Sequence, residues 1–212
     1  MLASQGQAPA AAVVLVTAFA AYQLSPWWLL PGLAIVVAVV WAFYEPLSTT
    51  PSLPLAAVSP LSARVQSAGI KVDPWLRERQ ALRITMRTML PGIATIRAPL
   101  EGKVMDFWVR GGISKDDIDG SPTCYTLWVQ TDEGDDVVVA VHGRRRISRF
   151  RAIVAPGERV GHGRPLGFIY FATAVTLYLP ASSECELTAG ELVSAGETIL
   201  GTLVREAAGA SR

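Results

Sequence analysis

A mostly β domain carried behind an N-terminal two-helix transmembrane hairpin is the fold class this sequence predicts, and three observations predict it. The first is an uncharged run: no charged residue stands between Ser4 and Tyr44, and the first cation is Arg64. The second is a succession of short alternating β-branched and aromatic segments from Ala81 onward, separated by Gly-rich turns. The third is an internal duplication near the C-terminus, described below. Three segments follow: residues 1–44 as the helical hairpin, 45–63 as an extended Pro/Ser-rich linker, and 64–212 as the β-rich domain.

The apolar run divides at "QLSPWWLLPG", where Ser25 suits a helix cap and Pro26 a first helical position. Each leg, Gln5 to Leu24 and Pro26 to Tyr44, has about 20 residues, enough at ~1.5 Å per residue to span a ~30 Å hydrocarbon core. Trp27, Trp28, Trp41 and Tyr44 sit near the ends, where amphipathic rings favour the membrane interface. A cleaved signal peptide needs a basic start, which is lacking here; a re-entrant hairpin kinked at Pro31 is the other alternative. A hairpin leaves both termini on one side. All 19 Lys and Arg follow it, so the expected location is the inner (cytoplasmic) membrane, two-pass, with the β domain on the cytoplasmic side.

Composition narrows function by exclusion. Half of the 212 residues are hydrophobic and the net charge is +1, which exerts no global attraction for nucleic acid. Cys124 and Cys185 are far apart and in no metal-ligand spacing, so no metal is expected, and a disulfide is neither demanded nor excluded.

In the β region the segments "LRITMRTML", "IRAPLEGKVMDFWV", "CYTLWVQT", "DVVVAVHG", "FRAIVA", "PLGFIYFATAVTLYLP" and "ETILGTLV" read as strands, with a short helix around Pro74 to Gln80 and a hairpin turn at Asp132 to Asp135. The duplication is "APGERVGHGRPLG" from Ala155 and "TAGELVSAGETILG" from Thr188. Gly157, Glu158, Val160 and Gly163 recur 33 residues later as Gly190, Glu191, Val193 and Gly196. Glycines supply positive-φ turn positions and the valine points inward, as in lipoyl and biotinyl barrel-sandwich domains. Their tips present a lysine for a carried cofactor; these turns offer His162 and Ser194, so a swinging carrier is rejected.

The order of these pieces resembles the short, membrane-anchored form of phosphatidylserine decarboxylase. The resemblance rests on "FYEP" at Phe43, "AVSP" at Ala57, "RAPLEGKV" at Arg97, "RRRISRFRAIV" at Arg144, "PGERVGHGRPLGFIYF" at Pro156 and "VTLYLP" at Val175. It implies a barrel-sandwich-like decarboxylase-type domain with duplicated hairpins. It also implies a self-made cofactor: a Gly-Ser pair cleaves itself to leave a pyruvoyl group, which forms a Schiff base with the substrate amine and draws electrons as carbon dioxide leaves.

Carried over residue by residue, the Gly-Ser pair falls on Ala172 and Thr173. The first Asp-Gly falls on Ser62 and Ala63, the histidine on Ala94, and the second Asp-Gly on Glu101 and Gly102. The basic residue after serine becomes Ala174 and the aspartate beyond it Thr176. His142 and His162 lie elsewhere, in a strand end and a repeat turn. Threonine would yield a 2-oxobutanoyl rather than a pyruvoyl group, and Ala172 lacks the freedom of glycine. The positions Ala172, Thr173, Ser62, Ala94 and Glu101 are therefore expected to be degenerate, with no pyruvoyl group and no catalysis, because losing several members of one constellation removes the chemistry.

What remains is a basic segment, Arg144, Arg145, Arg146, Arg149 and Arg151. It reads either as ordinary solvated cations or as a contact to anionic phospholipid headgroups or to a partner, each near-surface cation contributing ~1 kcal/mol. Nucleic acid is excluded for want of interleaved aromatics. Trp75, Trp108 and Trp128 are expected in the core or at a domain edge. The leading expectation is a membrane-anchored decarboxylase-like pseudoenzyme. It would act as an accessory or structural subunit beside integral-membrane protein subunits, such as those of an energy-transducing complex. The alternatives are a phospholipid-binding module and an atypical phosphatidylserine decarboxylase working from Thr173.

Overall fold

The computed structural model describes residues 14–17, 19, 27, 29–42, 51, 53, 55–76, 79–89, 93–111, 123–143 and 148–204. The chain forms two compact units, 1–47 and 48–212.

In the first unit residues 14–17 are helical and α1 spans Leu29–Ala42. Gly32 faces the Thr17 side chain so closely that no Cβ would fit between them. Leu30, Leu33, Ile35 and Val37 are all more than half exposed. The expected transmembrane hairpin finds no support among the described residues, and most of its first leg, Gln5 to Leu24, lies outside them. α1 has 14 residues, about 21 Å at 1.5 Å per residue, against a ~30 Å core. Among the described residues no helix is long and apolar enough to cross a membrane. Trp27 is 78% exposed and Trp41 lies in α1, while Trp28 and Tyr44 fall outside the described residues.

The described residues of the second unit form thirteen strands. They are β1 (Ala56–Val58), β2 (Ala63–Val72), β3 (Gln80–Thr88), β4 (Ile93–Arg97), β5 (Gly102–Gly111), β6 (Thr123–Gln130), β7 (Asp136–Gly143), β8 (Phe150–Ala152), β9 (Arg159–Val160), β10 (Pro165–Tyr170), β11 (Ala172–Pro180), β12 (Leu192–Val193) and β13 (Ile199–Thr202). Eight form one sheet in the order β12-β2-β3-β11-β7-β6-β5-β9; β4-β10-β8 form a second, and β1-β13 a third. All pairings are antiparallel.

Alternation decides which face each side chain takes. Along β11, Val175, Leu177 and Leu179 join the main core with Ile84, Met86, Val139 and Val141, all fully buried. On the other face Tyr178 packs with Ala81, Val138, Ala140 and Cys124. Beside that second cluster Trp75, Trp108 and Trp128 form a half-buried stack with ring centroids 6.1 and 6.0 Å apart, and Arg110 lies over Trp75 at 4.3 Å. The hairpin expected at Asp132 to Asp135 is present, with Gly134 at φ +91° and its N–H donated to Thr131 O at 3.0 Å.

Two local differences have simple causes. Residues 74–76 form a turn instead of a helix, because Asp73 caps Trp75 N–H at 2.9 Å and pairs with Arg79, pinning the turn between β2 and β3. Strand β1 falls inside the Pro/Ser-rich segment 45–63, whose Ala57, Leu61 and Ala63 enter the main core.

The duplication extends further than the turns. Gly157 and Gly190 have φ +93° and +95°, and Gly163 and Gly196 have +70° and +71°. Gly157 and Gly190 donate to Val104 O and Val65 O at 2.7 and 2.8 Å, and Gly163 and Gly196 donate to Ala98 O and Ser59 O at 2.9 and 2.8 Å. Each turn therefore clasps the same element, "SPLSARV" from Ser59 in one copy and "APLEGKV" from Ala98 in the other. Ser62 and Glu101 hold equivalent places in the two copies.

Candidate functional site

The long segment read as one strand breaks at Phe171, whose φ of +55° is rare for a bulky residue and marks local strain. Phe171 O accepts a hydrogen bond from Ser148 Oγ at 2.7 Å, which fixes the turn from β10 into β11. Ser148 needs Gly143 beside it, since a Cβ there would stand 2.5 Å from Ser148 Cβ.

Immediately afterwards β11 bulges. Ala172 pairs with Gly143 and Ala174 with His142, leaving Thr173 as the extra residue. Its Oγ1 donates to His142 O at 3.2 Å. From the other side, Thr88 Oγ1 at the end of β3 lies 2.7 Å from Ala172 O and 3.1 Å from Thr173 O. The 172–173 peptide thus has a hydroxyl on its C-terminal residue and a hydroxyl donor on its carbonyl, and it lies next to strained backbone. Bulges and strain of this kind re-aim side chains at functional sites.

Thr173 and Ala172 are therefore at the centre of the site. Ala94 lies in β4 opposite Ile169, and brings no ionisable group. Ser62 and Glu101 belong to the two clasps. Ser62 Oγ accepts from Ala195 N–H at 3.0 Å, while Glu101 acts electrostatically on His162. Arg144, Arg145 and Arg146 lie outside the described residues; Arg149 and Arg151 are exposed, the latter on β8 opposite Phe168.

Two residues that sequence reasoning passed over belong here. His142 lies at the end of β7, as expected, but it is only 6% exposed, and its Nε2 lies 3.2 Å from Oγ1 of the fully buried Thr176. Thr88 carries no motif. The alternation of β7 alone places His142 on the face of Ala140 and Val138, and that signal was available; the Thr88 contact depends on long-range register.

Burial holds the pKa of the His162 imidazole below its ordinary value, against the opposing pull of the Glu101 carboxylate and the Pro99 and Ala56 carbonyls. A base whose folded pKa is depressed leaves the unfolded chain with more bound protons between the folded value and about 6.5, so stability rises with pH through that window and levels off above it. Urea unfolding at pH 5.5 and 7.5 should show the wild-type chain less stable at the lower pH. His162→Gln should reduce that difference, and an unchanged difference would assign it to other groups.

No protein-family model matches the chain. It is similar to curated proteins named phosphatidylserine decarboxylase proenzyme. That of Nitrosomonas europaea is 29% identical over 199 residues, covering 91% of this chain and 89% of the relative. That of Nitrosomonas eutropha is 28% identical over 179 residues, 82% of each. That of Burkholderia ambifaria strain MC40-6 is 30% identical over 182 residues, 84% of this chain and 82% of the relative. These are names of an enzyme precursor, and they overturn the expectation that the chain is not an enzyme.

Proposed function

The chain belongs to the phosphatidylserine decarboxylase family, and from that premise we propose that it is an atypical decarboxylase of phosphatidylserine-type aminophospholipids, maturing at Thr173. The observation that carries the proposal is the grip on the 172–173 peptide: Thr88 Oγ1 at 2.7 Å from Ala172 O, with Thr173 set on a bulge.

Serine is the precursor of a pyruvoyl group, and Thr173 has one carbon more, so the residues do not fit pyruvoyl. The self-processing they support is a threonine version. Rotation about χ1 frees Thr173 Oγ1 from His142 O and turns it to the Ala172 carbonyl carbon. The C–O bond forms, the Ala172–Thr173 amide bond breaks, and the hydroxyl proton passes in net terms to the departing nitrogen. Thr88 stabilises the oxyanion formed on the way. Loss of the Thr173 α-proton and cleavage of its Cβ–O bond then releases Ala172 as a free carboxylate. Tautomerisation and hydrolysis consume one water and release ammonia, leaving a 2-oxobutanoyl group on residue 173. Such a carbonyl supplies what this decarboxylation needs, an electron sink that can be joined to the substrate amine. The chain's own part is to position that end of β11 and to screen it, with His142 and Thr176 buried on the same face.

The exposed apolar residues of α1 support association with the cytoplasmic membrane, where anionic phospholipid and integral-membrane subunits would be its neighbours. The intact mass of the purified chain under denaturing conditions tests the reading. Two fragments, the second starting at residue 173 with a keto-acyl group, are expected; a single species near 22.7 kDa overturns it.

A further inference from the structure

Thr88 also borders a pocket at the end of β3. Together with Arg64, Gln66, Arg87 and Met89 it lines an open pocket of about 220 Å³. Arg64 and Arg87 are register partners on β2 and β3, and both are exposed. Opposed guanidinium groups on neighbouring strands present donors that one anion can share. Gln66 occupies a bulge in β2 between Val65 and Ser67, which brings an amide to the same pocket.

The surroundings are apolar. Met89 on the pocket wall is 54% exposed; Leu192, the register partner of Arg64 on β12, is 55% exposed; Phe171, next to the gripped Ala172 carbonyl, is 43% exposed. A fork of guanidinium donors framed by exposed apolar side chains suits an anion attached to hydrocarbon better than a free ion.

We propose that Arg64 and Arg87 form a phosphodiester-binding subsite that seats a phospholipid headgroup beside the Thr88-held 172–173 peptide. This rests on the reading that the chain acts on aminophospholipids, and deepens it by naming the residues that hold the substrate's phosphate. Thr88 is common to both places, so a bound phosphodiester would leave its headgroup amine facing the end of β11.

The experiment uses the full-length chain carrying Thr173→Val, verified as a single species by intact mass, in a non-ionic detergent at fixed low salt. Titration calorimetry follows dihexanoyl phosphatidylethanolamine, which has the phosphodiester but no carboxylate, with inorganic phosphate in a parallel titration. Arg64→Gln and Arg87→Gln are each expected to weaken lipid binding by about tenfold or more, as loss of a charge-assisted hydrogen bond does. Lys71→Gln, which removes an exposed cation at the far end of β2, should leave it unchanged, and inorganic phosphate should bind more weakly than the lipid. The proposal is overturned if the two pocket variants, folded by circular dichroism, bind the lipid as their parent does. It is also overturned if inorganic phosphate binds as tightly as the lipid, or if Lys71→Gln has the same effect. Failure of self-cleavage appears in the intact mass instead, so the two readings fail separately.

Discussion

Thr173→Val leaves one chain of full length and lowers decarboxylation on the order of 10⁴-fold, because valine keeps the β-branched shape at the bulge and removes only the hydroxyl. Thr173→Ser should still be cut, and faster, since the β-methyl no longer crowds the attack; its keto-acyl group will be one methylene lighter by mass. Thr88→Val removes the donor 2.7 Å from Ala172 O and should slow cleavage about 10²-fold while leaving it complete at long times. The three variants together separate nucleophile from oxyanion donor. Cleavage of Thr173→Val at the wild-type rate would show that chemistry starts at another residue.

The largest expected loss of stability comes from a residue with no chemistry, Gly102. A Cβ there would collide with the Gln130 carbonyl oxygen and stand 2.8 Å from Gln130 C and 3.1 Å from Thr131 Cα. These are backbone atoms of β6 and its turn, which cannot swing aside. Gly102→Ala should therefore cost about 3 kcal/mol, at the upper end of overpacking effects. Its counterpart in the other copy, Ala63, is fully buried and carries its methyl group in the core. The glycine requirement therefore belongs to one clasp only. Urea unfolding monitored by tryptophan fluorescence measures the loss; a change within 0.5 kcal/mol would mean that the β5 clasp has slack which this packing denies.

Local patterns carried much of the fold into the sequence. The alternation of "VTLYLP" and "DVVVAVHG" is the physical signature of β11 and β7, and the glycine spacing marks both turns by the positive φ each requires. The clasped elements "SPLSARV" and "APLEGKV" share only Pro, Leu and Val at matching places, and their kinship shows once Gly196 and Gly163 are seen donating to Ser59 O and Ala98 O. The site itself was half legible. Thr173 is found by its distance from the following Leu-Pro, but its bulge is a product of pairing with His142 and Gly143, some thirty residues earlier in the chain. Phe171 looked like one more aromatic strand residue; its left-handed backbone is imposed by the junction between two sheets. At the N-terminus, absence of charge was read as membrane-spanning length, and the described part of α1 has 14 residues.

The position of β11 has a consequence for the fate of a cut chain. Strand β11 lies between β3 and β7, β12 lies against β2, and β13 lies against β1. Every described strand downstream of residue 172 is thus paired with a strand upstream of it. Severing the 172–173 peptide would convert one polypeptide into two interlaced pieces, each supplying what the other's sheets lack. Neither piece could leave without dismantling the eight-stranded sheet. The cut protein would keep the size of the uncut one under native conditions, and its two parts would come apart only on denaturation.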